Sequence, residues 1–226
     1  MSLEVQLALL LVWGTVVGLD LVSVPQVMIA RPIVAGGVAG SILGDPATGL
    51  LLGVLFELFQ FDILPVGAVR YPEYGPATVA AVGAAHAVTG VLGFGLGALV
   101  GLVTGLVGGV SIHLSRRVTA RAVRAAAEPL EAGDFAVMVR VHTLAIVRDA
   151  ARAAVVTAFG LALALSVRAV LAVAVSPLGA GLLGVAAVAA GLAAGSSGTY
   201  RLMGRGPALR WFALGLGGGA IATWLR

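Results

Sequence analysis

The sequence predicts an all-α integral membrane protein, a multi-span helical bundle with broken or re-entrant helices. Of its 226 residues, 60% are hydrophobic and 11% are charged, and the mean hydropathy is +1.08. A soluble domain has about a quarter of its residues charged and under half apolar. At about 20 residues per crossing, the chain has room for roughly six to eight spans. Several apolar runs are shorter than one crossing and end at prolines or acidic residues, which predicts the breaks.

Charge and cysteine content exclude several classes of protein. The chain contains no lysine, so all 14 basic residues are arginines, and 10 acidic residues leave a net charge of +4. The arginines flank apolar segments, as the positive-inside rule predicts, and we expect a lipid bilayer and no nucleic acid as partner. Because cysteine is absent and His86 and His113 are isolated, we expect no metal site and no cofactor.

The first apolar segment, residues 5–19, predicts a retained helix. No positive charge precedes it and no small-residue cleavage site follows it, so a removed signal peptide is not expected. The segment ends at Asp20, and Ser23, Pro25 and Gln26 interrupt the chain before the next apolar run.

Residues 31–76 are the predicted working region. This apolar stretch contains several polar side chains. Inserting a carboxylate at the centre of a bilayer costs about 2.5 to 3.5 kcal/mol. A chain that keeps such groups there usually turns them towards a cavity or pathway. The candidate site residues are Asp45, Glu57, Gln60, Asp62 and Glu73.

Two short apolar runs, residues 33–43 and 50–61, meet at a turn in residues 44–49. Pro32 suits a first helical turn, and Thr48 is the predicted cap of the second helix. The pattern predicts a hairpin that enters the protein interior, and an ordinary polar loop between two tilted spans remains the alternative. Residues 67–76 are predicted to form a loop with a weak Arg70–Glu73 pair.

The rest of the chain divides into further spans and one polar stretch. Residues 77–114 predict two crossings with a break at 93–97, and small residues four apart predict a helix-packing face. This face consists of Gly97, Gly101, Gly105 and Gly109.

The chain is predicted to divide into two membrane halves and a connector. We expect a membrane half in residues 1–115, a cytoplasmic amphipathic connector in 116–152 and a second membrane half in 153–226, ending in a span at 211–224. Connector arginines are predicted to snorkel at the membrane surface, with a docking face for a cytoplasmic partner as the alternative.

One set of residues forms a family pattern: Arg31, Pro32, Leu43, Gly44, Asp45, Thr48, Gly49, Glu57, Gly67, Ala68, Pro72 and Glu73, and further on His142 and Arg152. In this pattern the chain resembles the membrane IIC subunit of the mannose/fructose/sorbose family of the phosphoenolpyruvate-dependent sugar phosphotransferase system. The chain differs from the family pattern at residues 28–30 and at Pro65, where the family has polar side chains, so we expect an altered sugar specificity.

The resemblance implies a sugar permease of the bacterial cytoplasmic membrane that is not itself an enzyme. It implies inverted repeats in the fold, a IID membrane subunit and cytoplasmic IIA and IIB phosphocarriers as partners, and phosphorylated histidines on those carriers. We expect an oligomer in which the five candidate site residues bind a hexose or related sugar. The alternatives are an ion- or proton-coupled transporter, in which buried carboxylates relay cations, and a membrane-assembly subunit without a substrate.

Overall fold

A computed structural model describes residues 1–61, 63, 70–86, 88, 90–174, 176–203, 210–211 and 214–215. Within these residues the chain is helical and contains no strand, which confirms the predicted fold class. Asp62, Pro65, Gly67, Ala68 and most of the predicted last span lie outside the described residues. The helices are α1 (Leu3–Val22), α2 (Pro32–Leu43), α3 (Pro46–Gln60), α4 (Tyr74–Ala85), α5 (Gly90–Ala125), α6 (Ala127–Glu131), α7 (Phe135–Ala174) and α8 (Pro177–Met203).

Three helices among the described residues are long and apolar enough to cross a membrane. They are α1, α5 and the Phe135–Val167 part of α7. With 36 and 40 residues, α5 and α7 are about 54 and 60 Å long, whereas the hydrocarbon core is about 30 Å thick. Both helices are therefore longer than one perpendicular crossing of the hydrocarbon core requires.

Helices α2 and α3 form the predicted hairpin, but residues 44–47 at its turn are exposed, so the chain does not bury the tip in the protein interior. Pro32 is the first residue of α2, and Gly44 ends that helix with a φ of +82°, a left-handed conformation that glycine adopts without strain. Asp45, not Thr48, caps α3: its carboxylate accepts a 3.0 Å hydrogen bond from the Thr48 backbone N–H. The prediction of a Thr48 cap was wrong because Pro46 starts the helix one turn earlier.

Helix α4 lies at the centre of the bundle. All 12 of its residues are buried, and it contacts α1, α2, α3, α5 and α7. Its small side chains let five neighbouring helices approach closely. The helix begins at Tyr74, so the prediction of a loop is wrong for residues 74–76. Pro76 fits there because a proline in the first turn removes no intrahelical hydrogen bond.

The glycine face of α5 packs inside this chain. An added Cβ would lie 2.8 Å from the Ala81 carbonyl oxygen at Gly97, and 2.2 Å from the Phe56 ring at Gly101. At Gly109 it would lie 2.2 Å from the carbonyl oxygen of Tyr71. The predicted packing face is therefore occupied by α3, α4 and the segment before α4. The predicted break at 93–97 is wrong, because those residues lie within α5 and the interruption falls between α4 and α5.

Residues 116–152 do not form a separate helical unit. Helix α5 continues through residue 116 to Ala125, and α7 continues from Phe135 past residue 152. Between them lies the short α6. The predicted connector thus consists of the projecting ends of two long helices and the turn between them, and its cytoplasmic position remains a prediction.

Candidate functional site

A buried ion pair joins the start of α4 to α7. Arg152 donates from Nη1 to Glu73 Oε2 at 2.6 Å and from Nη2 to Glu73 Oε1 at 3.1 Å. The side chains are 7% and 0% exposed. Arg152 also donates to the Gly18 carbonyl in α1 at 3.2 Å and to the Ser111 hydroxyl in α5 at 3.3 Å. One guanidinium therefore connects four segments of the bundle, and Glu73 pairs with Arg152, not with the predicted Arg70.

Asp149 extends this network towards the projecting ends of α5 and α7. Its Oδ1 lies 3.6 Å from Nε of Arg152 and accepts a 2.9 Å hydrogen bond from the Ser115 hydroxyl. Its Oδ2 accepts a 2.5 Å hydrogen bond from the Ser23 hydroxyl at the end of α1. Arg152 and Asp149 thus face the interior, so the prediction of snorkelling is wrong for Arg152.

Glu57 closes the open end of the α2–α3 hairpin. One carboxylate oxygen pairs with Arg31, and the other accepts a 3.3 Å hydrogen bond from the backbone N–H of Ile33. Backbone N–H groups in a first helical turn lack an intrahelical partner, and a carboxylate there is favoured by the helix dipole. The Glu57 side chain is 18% exposed, so its carboxylate is not sealed inside the bundle.

Gln60 lies at the same end of the bundle as Glu57 and Glu73. It is half-buried and lines a cavity of about 10 Å³ together with Leu21, Tyr71 and Tyr74. Glu57 faces Arg31 while Gln60 lies beside the two tyrosines, so the two side chains have different neighbours.

The structure separates Asp45 from the other candidate residues. Asp45 is exposed at the tip of the hairpin, whereas Glu57 lies near the opposite end of α3, about 18 Å along the helix. Asp62 lies outside the described residues. Among the predicted set, the structure therefore brings Glu57, Gln60 and Glu73 to one end of the bundle and places Asp45 at the other.

The segment before α4 is attached to α5 by side chains as well as backbone. The Tyr71 hydroxyl accepts a 2.8 Å hydrogen bond from Arg116, whose guanidinium also lies 5.4 Å from the centre of the tyrosine ring. Arg70 Nη2 lies 3.4 Å from Nε2 of His113. The backbone N–H of Glu73 donates to the Gly105 carbonyl at 2.9 Å. These contacts hold Glu73 in position for Arg152.

Asp20 is a structural residue whose role was not predicted from the sequence. It is 3% exposed, and its carboxylate accepts hydrogen bonds from the backbone N–H groups of Val27 at 2.7 Å and Ala30 at 2.9 Å. It thereby shapes the loop that leads from α1 to Arg31. The available signal was an acidic residue followed by a proline-containing polar stretch, a pattern in which the carboxylate often binds nearby backbone N–H groups.

Two larger concavities border these residues. The polar cleft, of about 660 Å³, lies between the end of α1 and the projecting parts of α5 and α7. Its other lining residues are apolar, and its polar lining residues are Ser23, Ser115, Arg116, Thr119, Arg124, His142 and Asp149. The second, of about 770 Å³, is an apolar groove between the hairpin tip, the start of α5 and α8. Across the described ranges, no group of three His, Cys, Asp or Glu residues could hold a metal ion.

The fold and the buried charges define a class: a polytopic helical membrane protein with short paired helices, a buried half-length helix and ionisable groups inside the bundle. The chain belongs to the family described as the sorbose-specific IIC component of the phosphotransferase system, whose pattern matches residues 4–221. The family membership and the apolar helices confirm the predicted membrane localisation.

Curated relatives carry related names. The chain is 29% identical over 153 residues to the "PTS system sorbose-specific EIIC component" of Lacticaseibacillus casei, covering 68% of this chain and 54% of that protein. It is 28% identical over 154 residues to the "Fructose permease IIC component" of Bacillus subtilis (strain 168), covering 68% of this chain and 56% of that protein. The chain thus spans about half the length of the curated relatives it matches.

Two solved structures share the fold. One, titled "Structure of membrane protein", has a TM-score of 0.67 at 21% identity, covering 97% of this chain and 88% of that chain. The other, a cryo-EM structure of the mannose transporter ManYZ with microcin E492, has a TM-score of 0.57 at 20% identity and the same coverage. At these identities the similarity establishes the fold alone.

Proposed function

We propose that this chain is the sugar-permease (IIC) subunit of a mannose-type phosphotransferase system. It moves a hexose or related sugar across the bilayer, together with a IID membrane subunit and cytoplasmic IIA and IIB phosphocarriers. The observation that carries this proposal is the family match over residues 4–221. The chain itself supplies binding and passage, and the phosphocarriers supply the phosphoryl group.

Within this function, Glu57 and Gln60 are the proposed sugar contacts. Carboxylate and amide groups accept and donate hydrogen bonds, as sugar hydroxyls require. Glu57 retains an exposed edge beside its Arg31 partner. Glu73 is fully buried and both its oxygens are bound by Arg152, so a sugar would reach it only if that pair opened. Asp62 remains a predicted helper.

The test is phosphoenolpyruvate-dependent sugar uptake and phosphorylation in vesicles containing all four components. We expect Glu57→Ala to lower uptake at least about tenfold, the effect of one lost hydrogen bond to a charged group. Because Glu57 also pairs with Arg31, the matched control is Arg31→Gln, which breaks the ion pair and leaves the carboxylate. A smaller loss for Arg31→Gln than for Glu57→Ala supports sugar contact, and unchanged uptake with Glu57→Ala would refute the assignment.

An ion- or proton-coupled transporter is the second candidate, favoured by the buried Glu73, Arg152 and Asp149 network. Such groups commonly form cation pathways in membranes. Uptake that does not need phosphoenolpyruvate but stops with a protonophore would favour this candidate.

A membrane-assembly subunit without a substrate is the remaining alternative. In that case sugar uptake would not depend on Glu57 or Gln60. Neighbouring genes for IIA, IIB and IID would argue against this alternative.

A further inference from the structure

The polar cleft is separate from the proposed sugar contacts. It contains neither Glu57 nor Gln60, and it lies between the projecting parts of α5 and α7. Its volume of about 660 Å³ falls within the range of about 300 to 1,000 Å³ that is typical of small-molecule sites. The cleft adjoins the buried Arg152 network through Asp149, so its inner surface is held by a rigid set of contacts.

The inner surface of the cleft suits a ligand with hydroxyl groups. The hydroxyls of Ser23 and Ser115 donate to the two oxygens of Asp149, at 2.5 and 2.9 Å. Each carboxylate oxygen and each serine oxygen keeps a lone pair that can accept another hydrogen bond. Arg152 lies behind Asp149 at 3.6 Å and offsets its negative charge.

The outer surface of the cleft suits an anion. Arg124 and His142 line it from opposite helices, and both side chains belong to exposed residues. Thr119 adds a hydroxyl donor on the α5 side. A guanidinium and an imidazole around one opening provide the N–H donors that bind phosphate oxygens.

We propose that the polar cleft binds a hexose phosphate. The sugar hydroxyls contact Asp149 and Ser115 at the inner surface, and the phosphate contacts Arg124 and His142 at the outer surface. In naming a phosphorylated sugar as the ligand, this inference rests on the proposed function, since that compound is the product of the transport reaction. The cleft then holds the product at the end of the bundle where the arginine-rich helices project.

Binding is tested on the purified full chain in lipid nanodiscs, without partner proteins, by isothermal titration calorimetry. The probes are fructose 6-phosphate, fructose and inorganic phosphate. We expect fructose 6-phosphate to bind at least about tenfold more tightly than either of the others, because it alone engages both surfaces. Equal affinity for inorganic phosphate would reduce the cleft to a plain anion site and overturn the proposal, as would no binding of any probe.

Two variants and one control locate the binding in the cleft. Arg124→Gln removes an exposed cation from the outer surface, and Ser115→Ala removes a hydroxyl from the inner one. Each is expected to weaken fructose 6-phosphate binding about tenfold. Arg121 lies three residues before Arg124 on the same helix and does not line the cleft. The Arg121→Gln protein should therefore bind fructose 6-phosphate with the affinity of the wild type. Equal losses in Arg121→Gln and Arg124→Gln would show general surface attraction and overturn the proposal.

The two proposals fail in distinguishable ways. Fructose 6-phosphate binding that needs Arg124, in a protein without phosphoenolpyruvate-dependent uptake, would refute the permease function and leave the cleft as a sugar-phosphate site. Normal uptake with unchanged affinity in Arg124→Gln and Ser115→Ala would refute the cleft and leave the permease function intact.

Discussion

At the scale of single residues, the Glu73–Arg152 pair has the largest expected effect on stability. Both side chains are buried and the guanidinium reaches four segments of the chain. A charge taken out of water is stable only while its partner remains, so removing one member leaves an uncompensated charge in the bundle. The pair therefore fixes the start of α4 relative to α7.

We expect Glu73→Gln to lower the free energy of unfolding by about 3 to 5 kcal/mol, the usual cost of breaking a buried ion pair. Replacing both partners with apolar residues, Glu73→Leu with Arg152→Met, should cost less than Glu73→Gln alone. Unfolding in sodium dodecyl sulfate, followed by circular dichroism, measures both. Glu131→Gln, on the surface of α6, is the control, and equal stability of Glu73→Gln and this control would contradict the expectation.

Asp45 gives a second test at this scale, because its carboxylate caps α3. Asp45→Ala should destabilise the protein by about 1 kcal/mol, and Asp45→Ser should retain most of the stability because serine also caps helices. If Asp45 acts only as a cap, Asp45→Ser also keeps normal sugar uptake. A large loss of uptake in a stable Asp45→Ser protein would instead support the predicted contact with the sugar.

At the scale of helices, glycines determine which elements approach closely. The α2–α3 hairpin closes because Gly36 and Gly49 face each other: a Cβ on Gly49 would lie 2.3 Å from the Gly36 carbonyl oxygen. The face of α5 works in the same way against α4 and the segment before it. In a membrane, where lipid chains are as apolar as leucine, such close packing is a main source of helix association.

Gly109→Ala tests this packing. Its new methyl group would lie 2.2 Å from the Tyr71 carbonyl oxygen, and a backbone atom moves less readily than the end of a side chain. We expect a loss of about 1 to 3 kcal/mol in stability, typical of overpacking. Gly181→Ala in α8 is the matched control, because no atom lies within 4 Å of its added Cβ. A loss of the same size in both variants would attribute the effect to helix propensity and not to packing.

At the scale of the whole molecule, the length of α5 and α7 sets the arrangement relative to the bilayer. Both exceed the hydrocarbon thickness, and the last part of α5 and the first part of α7 carry Arg117, Arg121, Arg124 and Arg140. Arginine-rich ends stay on the cytoplasmic side during insertion. We therefore expect the turn between these two helices to be exposed to the cytoplasm.

The absence of cysteine allows a direct test of this topology. Ala132→Cys, in the exposed turn after α6, should react with a membrane-impermeant maleimide in inside-out vesicles and stay protected in intact cells. Ala47→Cys lies at the hairpin tip, at the other end of the bundle. It should not combine labelling in inside-out vesicles with protection in intact cells. Labelling of Ala132→Cys in intact cells would show that this turn faces the outside of the cell, which contradicts the expected orientation.

Much of the fold could be predicted because its signals are local. Composition and hydropathy indicated the membrane class, and Pro32 with the residues around Gly44 indicated the hairpin. The four-residue spacing of glycines indicated the packing face of α5. Three of the errors were also local: the cap at Thr48, the loop at 74–76 and the break at 93–97 each depended on choosing between neighbouring turn signals of similar strength. The errors over the partner of Glu73 and the position of Arg152 were not local, because they depended on helix packing.

By itself, the sequence determined that this protein is a helical membrane protein with polar groups in residues 31–76, because burial in lipid constrains composition and helix length directly. Only the tertiary structure decided the partners of those groups. Glu73 pairs with Arg152, 79 residues away, and outside residues 31–76 Asp149 binds Ser23, 126 residues away. The physical reason is that a buried charge takes whichever partner the packed helices bring within hydrogen-bond distance, and helix packing joins segments that no spacing along the chain connects.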